Sequence, residues 1–119
     1  MTEAVLTTQF EEQDGIKMLR LSGPLDSATY MDFKTLVDTL LHDTGSKLIL
    51  DCANLTYVNS KGLALLGRYQ RTSAQNNGFF GITSLNKRIT RTIDLLGMKK
   101  LVKLYDTVDE AIEAAHRQA

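Results

Sequence analysis

The chain has one cysteine, one proline and no tryptophan, and its charges cancel, with 14 Lys and Arg against 14 Asp and Glu. Each shortage excludes something. Cys52 alone cannot close an internal disulfide, so a disulfide-built secreted scaffold is ruled out and a reducing compartment fits. With no second thiol to resolve an oxidised form, a redox role is not expected, and Cys52 reads as a buried structural thiol. Balanced charge leaves no footprint for direct nucleic-acid binding or for an anionic membrane. No apolar run approaches the ~20 residues that cross a bilayer, so membrane insertion is not expected. The opening MTEAVLTTQFEEQ lacks the basic region and apolar block of a secretory leader, and a soluble cytoplasmic domain is the expectation.

The inventory for catalysis is equally thin. His42 and His116 fall near expected helix C-termini, where the dipole favours a partly charged imidazole, and no Cys or second His stands at metal-ligand spacing. Ser60 lacks the Gly-x-Ser-x-Gly frame of a hydrolase elbow. Gly62 and Gly67 have the spacing of a phosphate loop, but Leu63-Ala64-Leu65-Leu66 between them is apolar, which fits helix packing. The pairs Lys87-Arg88 and Lys99-Lys100 read as solvated surface charge. No enzyme, no metal and no cofactor is expected.

What is present is a regular alternation of strand and helix signals. Val5–Phe10 and Ile16–Leu21 are strand-like, joined by a turn at Glu12-Gln13-Asp14-Gly15. From Ser27 to His42, Tyr30, Phe33, Val37, Leu40 and Leu41 recur at helical spacing, with Asp26 or Ser27 as cap. Lys47–Asp51 is a short strand, Ser60–Gln75 a helix stopped by Asn76-Asn77-Gly78, and Phe79–Thr83 a strand. Asn86–Leu96 is a helix closed by Gly97, Leu101–Tyr105 a strand, and Thr107–Arg117 a final helix with one apolar stripe. The order β-β-α-β-α-β-α-β-α implies an α/β class: a mixed sheet of about four to five strands with about four helices packed on it. With no linker or repeat, 119 residues read as one domain spanning 1–119.

The stretch Leu48–Tyr69, LILDCANLTYVNSKGLALLGRY, carries the functional question. A strand ends at Asp51, a polar turn follows, and a second apolar piece, Leu55–Val58, leads to Ser60 at the start of a helix. Free N–H groups and a positive dipole make a helix start an anion-binding position. Ser60 is therefore either a cap, worth ~1 kcal/mol over alanine, or a place for a phosphate.

This stretch resembles the signature of STAS-domain anti-sigma-factor antagonists: a hydrophobic strand with an acidic residue, then Asp-Ser-Ser/Thr-Gly-Leu and a small-residue helix that often carries Gly-Arg-Tyr. The counterparts are Ile49-Leu50-Asp51, Leu55, Tyr57-Val58, Asn59-Ser60-Lys61-Gly62-Leu63 and Gly67-Arg68-Tyr69. Leu21-Ser22-Gly23-Pro24-Leu25-Asp26 is similar to the segment before the family's first helix, and Ile93-Asp94-Leu95-Leu96-Gly97-Met98 to its late helix. The resemblance implies a single STAS-type domain whose Ser60 is phosphorylated by an anti-sigma factor serine kinase of GHKL type and reset by a PP2C-type phosphatase. It further implies a partner-binding surface around Asp26, Asp51, Asn59, Ser60, Lys61 and Gly62, and control of transcription through partner switching. Two positions depart from the pattern: Asn59 stands where Asp is usual, and Lys61 where Ser or Thr is usual. Asn keeps the hydrogen-bonding shape of Asp without its charge, and Lys61 would attract a phosphate on Ser60. Two alternatives follow: a STAS scaffold or transporter-associated subunit that binds its partner without phosphorylation, and a small-ligand or nucleotide sensor using the same helix start.

Overall fold

Asp14 and Gly15 both adopt positive φ, 54° and 78°, the geometry of a two-residue type I′ hairpin turn. They join β1 (Thr7–Gln13) to β2 (Ile16–Leu25), and α1 (Tyr30–Leu40), β3 (Lys47–Val58), α2 (Ser60–Gln75), β4 (Phe79–Thr83), α3 (Lys87–Leu95), β5 (Leu104–Tyr105) and α4 (Val108–Arg117) follow. This is the order expected from the sequence, in a computed structural model that describes residues 5–118. The strands form one five-stranded sheet in the order β1-β2-β3-β4-β5. β1 is antiparallel to β2, and the remaining pairs are parallel.

Alternation along β3 splits the interior in two. Leu48, Leu50 and Cys52 face the main core, built with Phe33 and Val37 of α1, Leu63, Leu66 and Tyr69 of α2, and Ile89 and Ile93 of α3. Ile49 faces the other side, where Ala111 and Ala115 of α4 pack on Ile16 and Phe79. Two lysines tie helix ends to the sheet: Lys17 Nζ donates to Leu40 O at 2.8 Å, and Lys47 Nζ to Ala115 O at 2.6 Å. Cys52 is fully buried in the main core, and burial pushes its thiol far above the usual range, as expected of a structural cysteine.

Four expectations need correction. The strand at Asp51 does not stop there: β3 runs unbroken to Val58. Two register shifts against β2, between Arg20 and Ser22 and between Gly23 and Pro24, insert extra residues into β3 and expose Ala53, Asn54, Thr56 and Tyr57 along its edge-on course. Gly23 (φ 104°) lies between these shifts, where a Cβ would strike the Val5 carbonyl. α1 begins at Tyr30, three residues later than expected from Ser27, because Asp26 and Thr29 close a turn first. β5 is only Leu104–Tyr105, since Leu101 is held in a turn by its N–H to Met98 O at 2.8 Å. β1 also sits further along the chain than Val5–Phe10, because the tight Asp14-Gly15 turn lets pairing run to Gln13 and Ile16.

Where α1 packs on α2, Tyr69 Oη donates to Asp38 Oδ1 at 2.8 Å, and Lys34 Nζ lies 2.7 Å from Asp38 Oδ2. Burial opposes ionisation of Asp38, but these hydrogen bonds and the charges of Lys34 and Arg68 outweigh it and hold the carboxyl below its ordinary 3.8. A depressed folded value means the stabilisation is complete above the unfolded value and is lost as pH falls through the folded one. Thermal unfolding is thus expected to show an acid loss that begins below about pH 4, and Asp38→Asn should reduce that loss.

Candidate functional site

The C-terminal ends of β2 and β3 lie side by side, with Leu25 paired to Val58 and the Asn59 N–H donating to Leu25 O at 3.0 Å. Two helices therefore start from adjacent points. After β2, Asp26 Oδ1 accepts the N–H groups of Ala28 at 3.0 Å and Thr29 at 3.1 Å. Thr29 Oγ1 in turn accepts the Asp26 N–H at 3.0 Å and donates to Pro24 O at 2.9 Å. Asp26 so caps the turn that leads into α1, while Ser27 is exposed and Thr29 makes no side-chain cap to the helix itself.

After β3, Asn59 is the cap of α2. Its Oδ1 accepts the Gly62 N–H at 2.8 Å, and its carbonyl accepts the Leu63 N–H at 3.0 Å. Ser60 is the first residue inside the helix and is exposed. The reading of Ser60 as cap is corrected by this geometry, because Asn59 does that work. Among the described residues, the N–H groups of Ser60 and Lys61 have no protein acceptor, so the positive end of α2 stays open beside the serine hydroxyl.

The flanks of Ser60 are cationic. Lys61 Nζ lies 4.4 Å from the centroid of the Tyr30 ring at the start of α1, a cation–π contact. On the other side, an open groove of about 190 Å³ is lined by Thr56, Tyr57, Asn59, Ser60, Arg88 and Thr92, among others. Gly62 is buried beneath, where α2 approaches Leu25 and Val58. A phosphoryl group on Ser60 would meet a helix start, Lys61 and the Arg88 side of the groove, with no carboxylate at position 59 to repel it.

Asp26, Asn59, Ser60, Lys61 and Gly62 are thus brought together. Asp51 is not. It lies seven residues before Val58 on β3, about 20 Å away at ~3.3 Å per residue. There its Oδ2 accepts from Arg20 Nε at 3.1 Å and its Oδ1 from the Ala53 N–H at 3.1 Å. Its role is to pair Arg20 across the sheet and to turn the chain into the first bulge. Two groove residues carried no such expectation. Arg88 read as solvated charge, because only the packing of α3 beside α2 brings it to Ser60. Tyr57 pairs with Pro24 of β2 yet is half exposed at 50%, and an aromatic left uncovered on a paired strand is the signal it gives.

Asn59→Ala should cost about 1 kcal/mol by loss of the cap, read as a lower denaturation midpoint. Asn59→Asp should keep the cap and add up to about 1 kcal/mol from the dipole.

The STAS domain family matches residues 7–111, from β1 into α4. An anti-sigma F factor antagonist of Paenibacillus polymyxa is 28% identical over 109 residues, which make up 90% of this chain and 92% of that protein. The crystal structure of an anti-sigma factor antagonist from Mycobacterium paratuberculosis is 27% identical and superposes with a TM-score of 0.83, covering 93% of this chain and 94% of that one. The phosphorylated form of the Bacillus cell fate determinant SpoIIAA, at 19% identity, shares the fold with a TM-score of 0.67 over 91% of this chain and 98% of that one. With the family match running through every strand and helix that builds the Ser60 groove, the chain belongs to the STAS domain family.

Proposed function

We propose that this chain is an anti-sigma factor antagonist that binds a GHKL-type anti-sigma factor kinase and is switched off by phosphorylation of Ser60. The observation that carries this reading is an exposed Ser60 inside the first turn of α2, relieved of capping by Asn59 and flanked by open N–H groups. In the unmodified state the helix start, the Asp26 turn and the groove between α2 and α3 form the contact surface. Binding there competes with the sigma factor and releases it. Transfer of the ATP γ-phosphoryl group to Ser60 Oγ, with ADP leaving and the hydroxyl proton passing to a base of the kinase, adds about −1.5 to −2 charges at that surface. The open helix start and Lys61 hold the phosphate locally, so the fold persists while the contact is lost. A PP2C-type phosphatase resets the site.

Asn59 favours one second reading, a STAS scaffold whose helix start binds a protein partner without phosphorylation, since the acidic residue usual at that position is missing. Both readings are tested by competition. The unmodified domain, added to a preformed complex of anti-sigma factor kinase and sigma factor, should free the sigma factor in proportion to its own binding. Retention of all sigma factor at saturating domain would argue for the scaffold.

A further inference from the structure

The geometry points to β1 as a self-association edge, through which two copies of this chain pair antiparallel about Phe10 to continue the sheet. β1 is a free edge of seven residues, every one of them exposed. The opposite edge, β5, is protected by being only two residues long. β1 is long enough to pair, carries no proline or lysine and runs against β2 from Thr7 to Gln13 without a bulge, so the charges of Glu11 and Glu12 are what guard it.

The hairpin turn fixes which backbone groups are free. In a two-residue turn, Gln13 and Ile16 bond to each other, so the N–H and C=O groups of Thr7, Gln9, Glu11 and Gln13 point to β2. Those of Thr8, Phe10 and Glu12 point outward. An antiparallel copy of β1 can bond only where these outward residues face each other. The register with full overlap meets that condition: Phe10 faces Phe10 of the second copy, and Thr8 faces Glu12. Side chains agree with it. Glu11 stands opposite Gln9 of the second copy, whose own copy's Arg20 Nη1 donates to that Gln9 Oε1 at 3.3 Å. No two carboxylates are directly opposed, whereas a slip of one pleat toward the turn would set Glu11 against Glu11. Phe10, 49% exposed, would lie against its own mate.

The Ser60 site lies beyond the ends of β2 and β3, away from this edge, so both copies would keep it accessible, at opposite ends of the joined sheet. With seven residues a side the seam is small, so association should be weak and depend on concentration.

Sedimentation equilibrium of the full chain between about 10 µM and 1 mM tests this. A monomer–dimer equilibrium is expected, shifted at least about tenfold toward monomer by Phe10→Lys, which sets two like charges face to face, with circular dichroism and melting unchanged. Register is read independently by mixing a Gln9→Cys with a Glu11→Cys variant under oxidation. The mixed disulfide should outpace both self-disulfides, since positions 9 and 11 form a close non-bonded pair in this register and Cys52 is buried. Monomer throughout the range, a dimer that Phe10→Lys leaves intact, or self-disulfides forming as fast as the mixed one would each overturn the proposal.

Discussion

Ser60→Glu is expected to weaken binding to the anti-sigma factor kinase by about a hundredfold, close to 3 kcal/mol, with the fold unchanged. Ser60 is exposed and makes no cap, so a larger acidic side chain there displaces nothing in the core. The negative charge is even locally favourable, because the dipole of α2 and Lys61 attract it. In the proposed complex the cost would come from desolvating that charge against the partner. Ser60→Ala should bind as the unmodified protein does, since the hydroxyl carries no structural hydrogen bond. Calorimetric titration of the three proteins against the kinase reads these differences, and equal affinities for Ser60→Ala and Ser60→Glu would remove charge at this position from the switch.

Gly62→Val is expected to destabilise the domain by about 3 kcal/mol and to lower its melting temperature by roughly 10 °C. A Cβ at Gly62 would lie 2.9 Å from Val58 Cγ1 and 3.1 Å from Leu25 Cδ2. Both neighbours are buried side chains at the ends of β3 and β2, and Leu25 is wholly enclosed, so neither can retreat into solvent. Alanine would offset part of the clash through the ~1 kcal/mol gained in helix propensity, whereas valine adds branched methyls and loses that gain. Since these same strand ends set where Asn59 and Ser60 stand, Gly62→Val should also weaken partner binding. A variant as stable as the parent would show that α2 does not need its close approach to the sheet.

Much of this was readable from the chain because its signals are local. Helical spacing from Tyr30 to Val37, the apolar run Leu48–Leu50 and the stop at Asn76-Asn77-Gly78 each act within a few residues. The element order follows from them. What escaped depends on partners distant in sequence. The polar segment after Asp51 looks like a turn because burial there recurs every third residue, at Cys52, Leu55 and Val58, a spacing created by two register shifts against β2. The resemblance sets Asp51 at the partner-binding surface, but the residues from Cys52 to Val58 are extended strand and carry it away from Ser60. Asn59 rather than Ser60 caps α2, which only the Oδ1 contact to the Gly62 N–H distinguishes. Arg88 reaches the groove through the packing of α3, where Asn86 Nδ2 donates to Leu55 O at 3.3 Å and fixes the start of that helix beside β3.

The most direct test of the switch is phosphoryl transfer itself. Incubated with ATP and the GHKL-type kinase proposed as its partner, the protein should gain a single phosphate, located at Ser60 by peptide mass mapping and absent from Ser60→Ala. Phosphorylation at another residue, or none while the kinase still binds the domain, would contradict the assignment of Ser60 as the switch.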